Sequence, residues 1–446
     1  MKKVITACAP FIVISLLIMA CSSNTNNTGG ETTDDQDTTK KGQMEAPLIL
    51  KPEEPKRATL LFDKSSSMRG YMESSNDSRF YGAIASLVNL ANVDSCYLYG
   101  EKEEKGIDKE SFNTLLNKRD IKWSAESNIK SMIGSMIEHI NNKGYDICLL
   151  VTDGILSGSN EDIENNRSYN ISQKEALSLN IAALFEKESD KMSALIIRYE
   201  AKFNTSKTIK KGGWYYYCYN NDQKIINNQD RPFFIIVVGR WKCIKYLEGE
   251  LNKAIAESML SESNFPKLST PTDMALFGEN FGIYDNIELK FGNGISRSGT
   301  KLKIEQSYYD RDSLIRFTAD ISELPSYMRD PNYMKENVEL SVKKQGESNV
   351  RTLADKDYQL QIKEKNEKTV LKLSIKARKL RNSQLVFKMN YSEPKWIADN
   401  SDDNDLDILE NPSVKMGKTF NFWYLAHGFS ALQKNKTIKE QTLEFE

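Results

Sequence analysis

Short, continuous apolar runs alternate with helical periodicity in the first half of the chain. The runs that predict buried strands are residues 58–62, 96–99, 147–151, 193–197 and 233–238. Between them, apolar side chains recur at helical spacing, as over residues 80–88 and 129–140. Buried strands separated by amphipathic helices are typical of a mainly parallel sheet with helices on both faces. The pattern predicts an α/β, Rossmann-like domain over residues 57–262.

The pattern changes to strict alternation of apolar and polar positions after residue 285. The alternating runs are residues 286–291, 314–319, 338–342, 358–362, 370–375 and 384–389. Such alternation predicts half-buried antiparallel strands, and so an all-β, sandwich-like C-terminal domain over residues 263–446. The acidic residues 399–411 are interpreted as a solvated loop, with a calcium loop as the alternative. The aromatic tail is expected to pack back on the domains through Phe420, Phe422, Trp423, Tyr424 and Phe429.

The first twenty residues have the pattern of a secretion signal. Lys2 and Lys3 precede an apolar run over residues 11–20, which is too short to span a bilayer comfortably. The run ends in Leu-Ile-Met-Ala followed by Cys21, which resembles a bacterial lipobox. Residues 1–20 are therefore predicted to be a lipoprotein signal peptide, with Cys21 lipidated after cleavage. An ordinary signal peptide with an incidental cysteine is the alternative.

A polar tract follows the predicted lipidation site. Residues 21–56 contain almost no apolar side chain before Met44, so they cannot bury enough surface to offset chain entropy. We interpret them as a flexible tether that holds a folded domain away from a membrane. Ser22 resembles outer-membrane sorting, whereas the acidic residues 34–37 resemble a surface-export signal. The expected location is the bacterial cell envelope, lipid-anchored at the outer membrane, either periplasmic or surface-exposed.

Charge and histidine content exclude several classes of protein. The 446 residues contain 61 Lys and Arg against 62 Asp and Glu, a net charge of −1. Such a balance argues against a bulk nucleic-acid binder or a polybasic membrane binder. The chain has only two histidines, so zinc sites built on several histidines are nearly excluded. His139 is expected to be solvated on the polar side of its helix, and His427 to be structural.

Six cysteines are too few for a disulfide scaffold in a chain of this length. Cys96 and Cys148 lie in two of the predicted strands. Cys218 and Cys243 could pair in an oxidising envelope, but two free buried thiols are an equally good interpretation.

Three predicted strand ends and loops carry oxygen ligands. The first strand ends in Asp63, followed by Ser65 and Ser67 in an Asp-x-Ser-x-Ser pattern. The loop before the helix at residue 129 contains Ser127, and the fourth strand ends in Asp153 with Gly154 behind it. Sites in such sheets form where the carboxyl ends of strands meet. Hydroxyl and carboxylate oxygens are hard ligands that suit Mg²⁺.

This combination resembles the von Willebrand factor A family and its metal-ion-dependent adhesion site. Asp63, Ser65 and Ser67 match the Asp-x-Ser-x-Ser element, and Asp153 matches the aspartate on the fourth strand. Ser127 falls where the family usually has threonine. The resemblance implies bound Mg²⁺, with Mn²⁺ or Ca²⁺ as alternatives, and an open coordination position that an acidic residue of a protein partner fills. The membrane is the other expected partner, through the lipid anchor at Cys21, and no nucleic-acid partner is expected.

The sequence departs from that family between its fifth and sixth strands. Residues 203–231 do not show the usual helix, and residues 214–222 predict a β-hairpin with a polar turn. The aromatic residues 214–217 form either a partner-binding surface or packing at the sheet edge; the second is favoured.

The leading functional hypothesis is a binding protein rather than an enzyme. A structural component of an envelope complex, without metal-dependent binding, is the first alternative. A metal-dependent phosphoesterase that uses Ser65 is the second, and the shortage of histidines disfavours it.

Overall fold

The computed structural model describes residues 51–73, 77–124, 128–155, 171–186, 192–205, 216–218, 222–260, 270–278, 284–311, 313–365, 368–433 and 436–446. The predicted signal peptide, Cys21, most of the tether and Ser127 lie outside these residues. No helix among the described residues is long and apolar enough to cross a membrane.

A seven-stranded sheet, called here the central sheet, organises the first half of the fold. Its strands are β1 (Ala58–Asp63), β2 (Val93–Tyr99), β3 (Ile107–Asp108), β4 (Ile147–Thr152), β5 (Met192–Phe203), β8 (Gln229–Arg240) and β9 (Asp273–Gly278). A small hairpin, β6 (Tyr216–Tyr217) with β7 (Gln223–Lys224), lies between β5 and β8 in the chain. The order in the sheet is β3-β2-β1-β4-β8-β5-β9. Every residue of β1 and β4 is buried, as their continuous apolar runs require.

Helices cover both faces of the central sheet. They are α1 (Arg69–Met72), α2 (Arg79–Leu90), α3 (Lys109–Lys118), α4 (Ile129–Lys143), α5 (Ile171–Glu186) and α6 (Trp241–Leu260). Alternate residues of β1 point to opposite faces, so Leu60 and Phe62 join one apolar cluster with α2, α3 and α6. Leu61 joins the other cluster, with α4 and α5. The predicted α/β layering is therefore present.

The prediction of a mainly parallel sheet is wrong, because the central sheet is mixed. Only the neighbouring pairs β2-β1 and β1-β4 are parallel. Between β5 and β8 the described residues form the predicted hairpin and no crossover helix. Strands joined without a crossover run antiparallel. Strand β8 therefore inserts between β4 and β5, antiparallel to both. Strand β9, which follows residue 262, adds to the far side of β5.

The C-terminal region is mostly β-structure in two sheets. Their strands are β10 (Lys290–Phe291), β11 (Ile295–Ser298), β12 (Lys301–Ile304), β13 (Leu314–Asp320), β14 (Val338–Lys344), β15 (Val350–Thr352), β16 (Tyr358–Lys365), β17 (Lys368–Lys376), β18 (Ser383–Asn390) and β21 (Thr437–Phe445). One sheet has the order β10-β13-β17-β16 and the other β11-β12-β21-β18-β14-β15. Phe317 and Phe445, one from each sheet, meet edge to face at 6.3 Å. The alternating runs are confirmed as strands; of residues 286–291, only β10 forms one.

Short elements complete this region. They are the helices α7 (Gln306–Asp310), α8 (Pro331–Asn337), α9 (Ala377–Leu380), α10 (Lys395–Asp399), α11 (Pro412–Lys415) and α12 (Phe422–Phe429), and the strands β19 (Ser401–Asp402) and β20 (Thr419–Phe420). As predicted, the aromatic tail packs back: α12 lies on the central sheet, where Phe422 stacks on Phe234 with ring centroids 3.9 Å apart. Phe429 contacts Phe185 of α5 in the same cluster.

The thiols and histidines have defined environments. Cys96, Cys148, Cys218 and Cys243 are all buried and free. The expectation of a solvated His139 is wrong, because its side chain is fully buried. Its Nε2 lies 2.9 Å from the Glu103 carboxylate, and its ring meets Tyr97 edge to face. The helical periodicity did not reveal this burial, because His139 only adjoins the apolar stripe of α4. Strand β2 and the loop after it cover that side of the helix.

Candidate functional site

Asp63 occupies the carboxyl end of β1 and shapes the turn that follows. Its side chain is fully buried. Oδ1 accepts a hydrogen bond from the Ser65 backbone amide at 2.9 Å, and Oδ2 accepts one from the Thr152 hydroxyl at 2.8 Å. The first bond closes an Asx-type turn, which explains why an aspartate at this position redirects the chain out of the strand. The second joins the ends of β1 and β4.

The two serines of the pattern are adjacent in space. Ser65 Oγ and Ser67 Oγ are 3.0 Å apart, with Ser65 buried and Ser67 half-buried. Paired backbone hydrogen bonds fasten the turn to Ser124, since Ser66 donates to the Ser124 carbonyl and Ser124 donates to the Lys64 carbonyl. Both hydroxyls are therefore held by a rigid turn rather than by a free loop. Ser127, three residues past Ser124, lies outside the described residues.

Asp153 follows β4, the strand next to β1, so the predicted strand-end carboxylates are neighbours. Its Oδ1 accepts a hydrogen bond from the Ile155 amide at 3.0 Å. Its Oδ2 is buried and lacks a hydrogen bond of standard geometry. A buried carboxylate oxygen without a partner costs free energy, so its presence here requires an explanation. The structure thus brings together Asp63, Ser65, Ser67 and Asp153.

Burial and mutual repulsion disfavour the ionised form of both carboxylates. Burial is the larger cause for Asp63, followed by the charge of Asp153, and together they raise its pKa to about 7. Burial also raises the pKa of Asp153, opposed by the Ser67 hydroxyl, the Ile155 amide and the positive charge of Arg231. A cation placed between these groups would relieve the repulsion and favour the ionised form of both.

Arg231 also acts on this site, through its positive charge, but the sequence analysis did not identify it. It lies near the start of β8 with only 1% of its surface exposed. It donates to the Met416 carbonyl at 2.8 Å, to the Lys415 carbonyl at 3.2 Å and to the Tyr216 hydroxyl at 2.8 Å. A charged residue two positions before the apolar run 233–238 was the available signal, but it is equally typical of an exposed strand end.

Tyr216 and Asp405 extend this buried polar network. The Tyr216 hydroxyl donates to Asp405 Oδ2 at 2.7 Å, and the Arg231 guanidinium lies over the Tyr216 ring at 4.5 Å. Asp405 belongs to the acidic segment that was expected to be a solvated loop, yet only 2% of it is exposed. Asp402 and Asp407 of the same segment pair with Lys415. Tyr216 therefore packs inside, as favoured, and the acidic segment is partly buried.

Gly154 gives the first testable prediction. Its φ is +69°, and a Cβ there would lie 2.8 Å from the Phe234 ring. Both strain and overlap oppose a side chain, so Gly154→Ala should lower the free energy of unfolding by about 1–3 kcal/mol in urea titrations. The matched control is Gly134→Ala in α4, where a Cβ would meet nothing within 4 Å. In that variant the free energy of unfolding should rise by about 0.5–1 kcal/mol. Equal effects at both positions would contradict the prediction.

The donor set at the strand ends fits a hard divalent cation. It offers two hydroxyls 3.0 Å apart and a buried carboxylate oxygen that lacks a hydrogen bond. Mg²⁺ prefers such oxygens and keeps several waters, so a full protein shell is not required. Within the described residues, no three His, Cys, Asp or Glu side chains group into a metal site. Any cation here would therefore depend on the serine hydroxyls.

Comparison of the chain with protein-family models, with curated proteins and with solved structures finds no match.

Proposed function

We propose that this chain is a lipid-anchored protein of the bacterial cell envelope whose von Willebrand factor A-like domain binds a protein partner through Mg²⁺. The observation that carries the proposal is Asp153 Oδ2, a buried oxygen that lacks a hydrogen bond of standard geometry, on a carboxylate that interacts with the Ser67 hydroxyl. The Ser65 hydroxyl lies 3.0 Å from that of Ser67. An unsatisfied acceptor next to two hydroxyls at adjacent strand ends is the arrangement expected of a cation site before the cation binds.

The residues of the site have different roles in this proposal. The hydroxyls of Ser65 and Ser67 would be direct ligands, because they are neutral and preorganised by the turn. Asp63 would not contact the ion directly, since both its oxygens already accept hydrogen bonds from Ser65 and Thr152. Ser127 is proposed as a further ligand from the sequence alone. When bound, Mg²⁺ would supply an open position for a carboxylate of the partner.

Cys21 would attach the domain to the membrane in this proposal. The lipobox-like run and the polar residues 21–56 support an anchor followed by a tether. The residues after Cys21 support outer-membrane attachment, on the periplasmic or external side. A tethered domain would search the volume near the membrane for its partner, which raises the effective concentration of both proteins there.

A structural role without metal is the second candidate, and one observation favours it. The Gly154 amide donates to the Thr152 hydroxyl, which donates to Asp63, and both Asp63 oxygens accept a hydrogen bond. With a pKa of about 7, Asp63 is partly protonated near neutral pH, and this lowers the charge of the site without any cation. In that case the site would serve to join β1 to β4.

Calorimetric titration of the full chain with Mg²⁺ separates the two candidates. The double variant Ser65→Ala/Ser67→Ala should weaken Mg²⁺ binding at least about tenfold, because it removes both neutral ligands. Its matched control, Ser341→Ala/Ser374→Ala, changes two serines of the C-terminal sheets and should bind as the unmodified protein does. Partner capture from an envelope extract should be lost in chelator and in the site variant. Capture that is unaffected by both would refute the metal-dependent function and support the structural one.

A further inference from the structure

The outer face of the sheet β10-β13-β17-β16 is strongly cationic. Strand β17 alternates so that Leu371, Leu373 and Ile375 are buried while its intervening residues face outward. The outward cations on the four strands, called here the cationic face, are Lys290, Arg316, Lys363, Lys368, Lys372 and Lys376. Among the outward positions that the structure describes on these strands, one residue is acidic. It is Asp320, which pairs with Lys368 at 2.7 Å.

The strand register places the cationic side chains close together. Lys290 pairs with Thr318, and Thr318 pairs with Lys372, which in turn pairs with Gln361. This row crosses all four strands, which are spaced about 4.8 Å apart. Arg316 lies two residues before Thr318 on the same face, opposite Ser374. The remaining outward positions of these rows are hydroxyl or amide side chains, so the cations project from a flat polar surface.

Most of these cations have no anionic partner among the residues that the structure describes. Among the described residues, no carboxylate lies within 4.0 Å of the side-chain nitrogens of Lys290, Arg316, Lys363 or Lys372. Grouped like charges repel, so such a face costs some stability unless an anionic surface meets it. The chain as a whole has a net charge of −1, so this is a local concentration of charge.

The outer face of the other C-terminal sheet lacks this bias. There Lys388 is paired in register with Glu339 on one side and with Glu440 on the other. Gln384 is likewise opposite Glu444 and donates to it at 2.6 Å. Two faces of the same region, built from strands of the same kind, therefore differ in charge. The difference singles out the cationic face as a surface for an anionic partner.

We infer that the cationic face docks on the phosphate headgroups of an anionic lipid bilayer. The inference rests on the lipid anchor of the proposed function. Roughly 30 residues separate Cys21 from Lys51, a length that spans about 100 Å at most. A bilayer that holds the lipid is therefore always within reach of the domain. A flat face of lysine and arginine matches a plane of phosphates, and each cation near such a surface adds about fivefold in affinity. Docking would hold the domain in one orientation on the membrane.

Vesicle sedimentation tests the inference with the full chain carrying Cys21→Ser, which cannot take a lipid. The vesicles contain phosphatidylcholine alone or with roughly 30% phosphatidylglycerol, at low salt and in chelator. The protein should bind only the anionic vesicles. Arg316→Gln/Lys372→Gln should weaken binding about 25-fold, and salt of roughly 0.5 M should abolish it. The control Lys343→Gln/Lys388→Gln removes the same charge from the other sheet and should change binding less than twofold.

Several outcomes would overturn the inference. Equal losses in the two double variants would show a response to total charge rather than to this face. Equal binding to neutral vesicles would exclude headgroup phosphate as the ligand, and preferential binding to dextran sulfate would assign the face to a soluble polyanion. Circular dichroism melting checks that each variant is folded. Because chelator is present throughout, failure here leaves metal-dependent partner binding untouched, and failure of metal binding leaves this result standing.

Discussion

Replacing Arg231 by methionine should lower the free energy of unfolding by about 3–5 kcal/mol, the largest loss expected from a single change in this protein. The guanidinium is almost fully buried and donates to the carbonyls of Lys415 and Met416. Methionine fills much of the volume but donates no hydrogen bond. Both carbonyls would then be buried without this donor, each at a cost of about 1–3 kcal/mol. Urea titration of the full chain measures the effect.

Arg240 supplies the matched control on the same strand. Its side chain is 63% exposed and pairs with Asp146 near the surface at 2.9 Å. An exposed ion pair contributes little, so Arg240→Met should cost less than about 1 kcal/mol. If Arg231→Met cost no more than this control, the buried network around Tyr216 and Asp405 would not hold the C-terminal segment against β8 as described. A large loss in Arg231→Met alone would confirm that the segment and the central sheet unfold together.

Replacing Asp153 by asparagine should stabilise the metal-free protein and remove its response to Mg²⁺. Asparagine can still accept the Ile155 hydrogen bond through its oxygen, and its amino group can meet the Ser67 hydroxyl. The substitution removes a buried negative charge next to Asp63, so the free energy of unfolding in chelator at pH 8 should rise by about 1–3 kcal/mol. Thermal melting with and without Mg²⁺ measures both effects.

Millimolar Mg²⁺ should raise the melting temperature of the unmodified protein but not that of Asp153→Asn. A ligand that binds only the folded state stabilises it by about 2.7 kcal/mol when its concentration is 100 times its Kd. Asp320→Asn removes an exposed carboxylate from the C-terminal region and should leave the Mg²⁺ response intact. A full Mg²⁺ response in Asp153→Asn would show that the cation binds elsewhere.

The interaction between Asp63 and Asp153 also predicts how the stability of the metal-free protein depends on pH. Burial and the charge of Asp153 raise the folded-state pKa of Asp63 from 3.8 to about 7. The folded state therefore holds its proton more tightly than the unfolded state does. The stability that results is complete below about pH 4 and is lost as the pH rises through about 7. Asp153→Asn should reduce this loss. The comparison is made between variant and unmodified protein, because the pKa of His427 is also raised, by its hydrogen bond with Glu393.

Much of the architecture was predictable because it depends on local pattern. Buried strands such as β1 and β4 follow from continuous apolar runs, and β13 and β17 follow from alternation with period two. The proximity of Asp63 and Asp153 could be expected for a related reason. Strands next to each other in a parallel sheet end at the same edge, so residues that follow them meet there.

Other features depended on residues far apart in the chain. The direction of β8 could not be deduced from its own sequence, since an apolar strand has the same pattern in either orientation. It was decided by pairing with β4 and β5, which are far from β8 in the chain and antiparallel to it. The burial of Arg231 and His139 was hidden for a similar reason. Each lies at a position that is polar in its own element, and only a distant segment, around Met416 or Glu103, covers it.

The amino-acid sequence by itself determined strands such as β1, β4, β13 and β17, helices such as α2 and α4, and the four oxygen-bearing side chains at the ends of β1 and β4. Hydrophobic periodicity acts over a few residues at a time, so these elements follow from local pattern. Only the tertiary structure decided which of those oxygens remain unsatisfied, and that Asp153 Oδ2 is among them. The reason is physical: hydrogen-bond satisfaction and desolvation depend on every group that surrounds an atom, and those groups come from segments hundreds of residues apart.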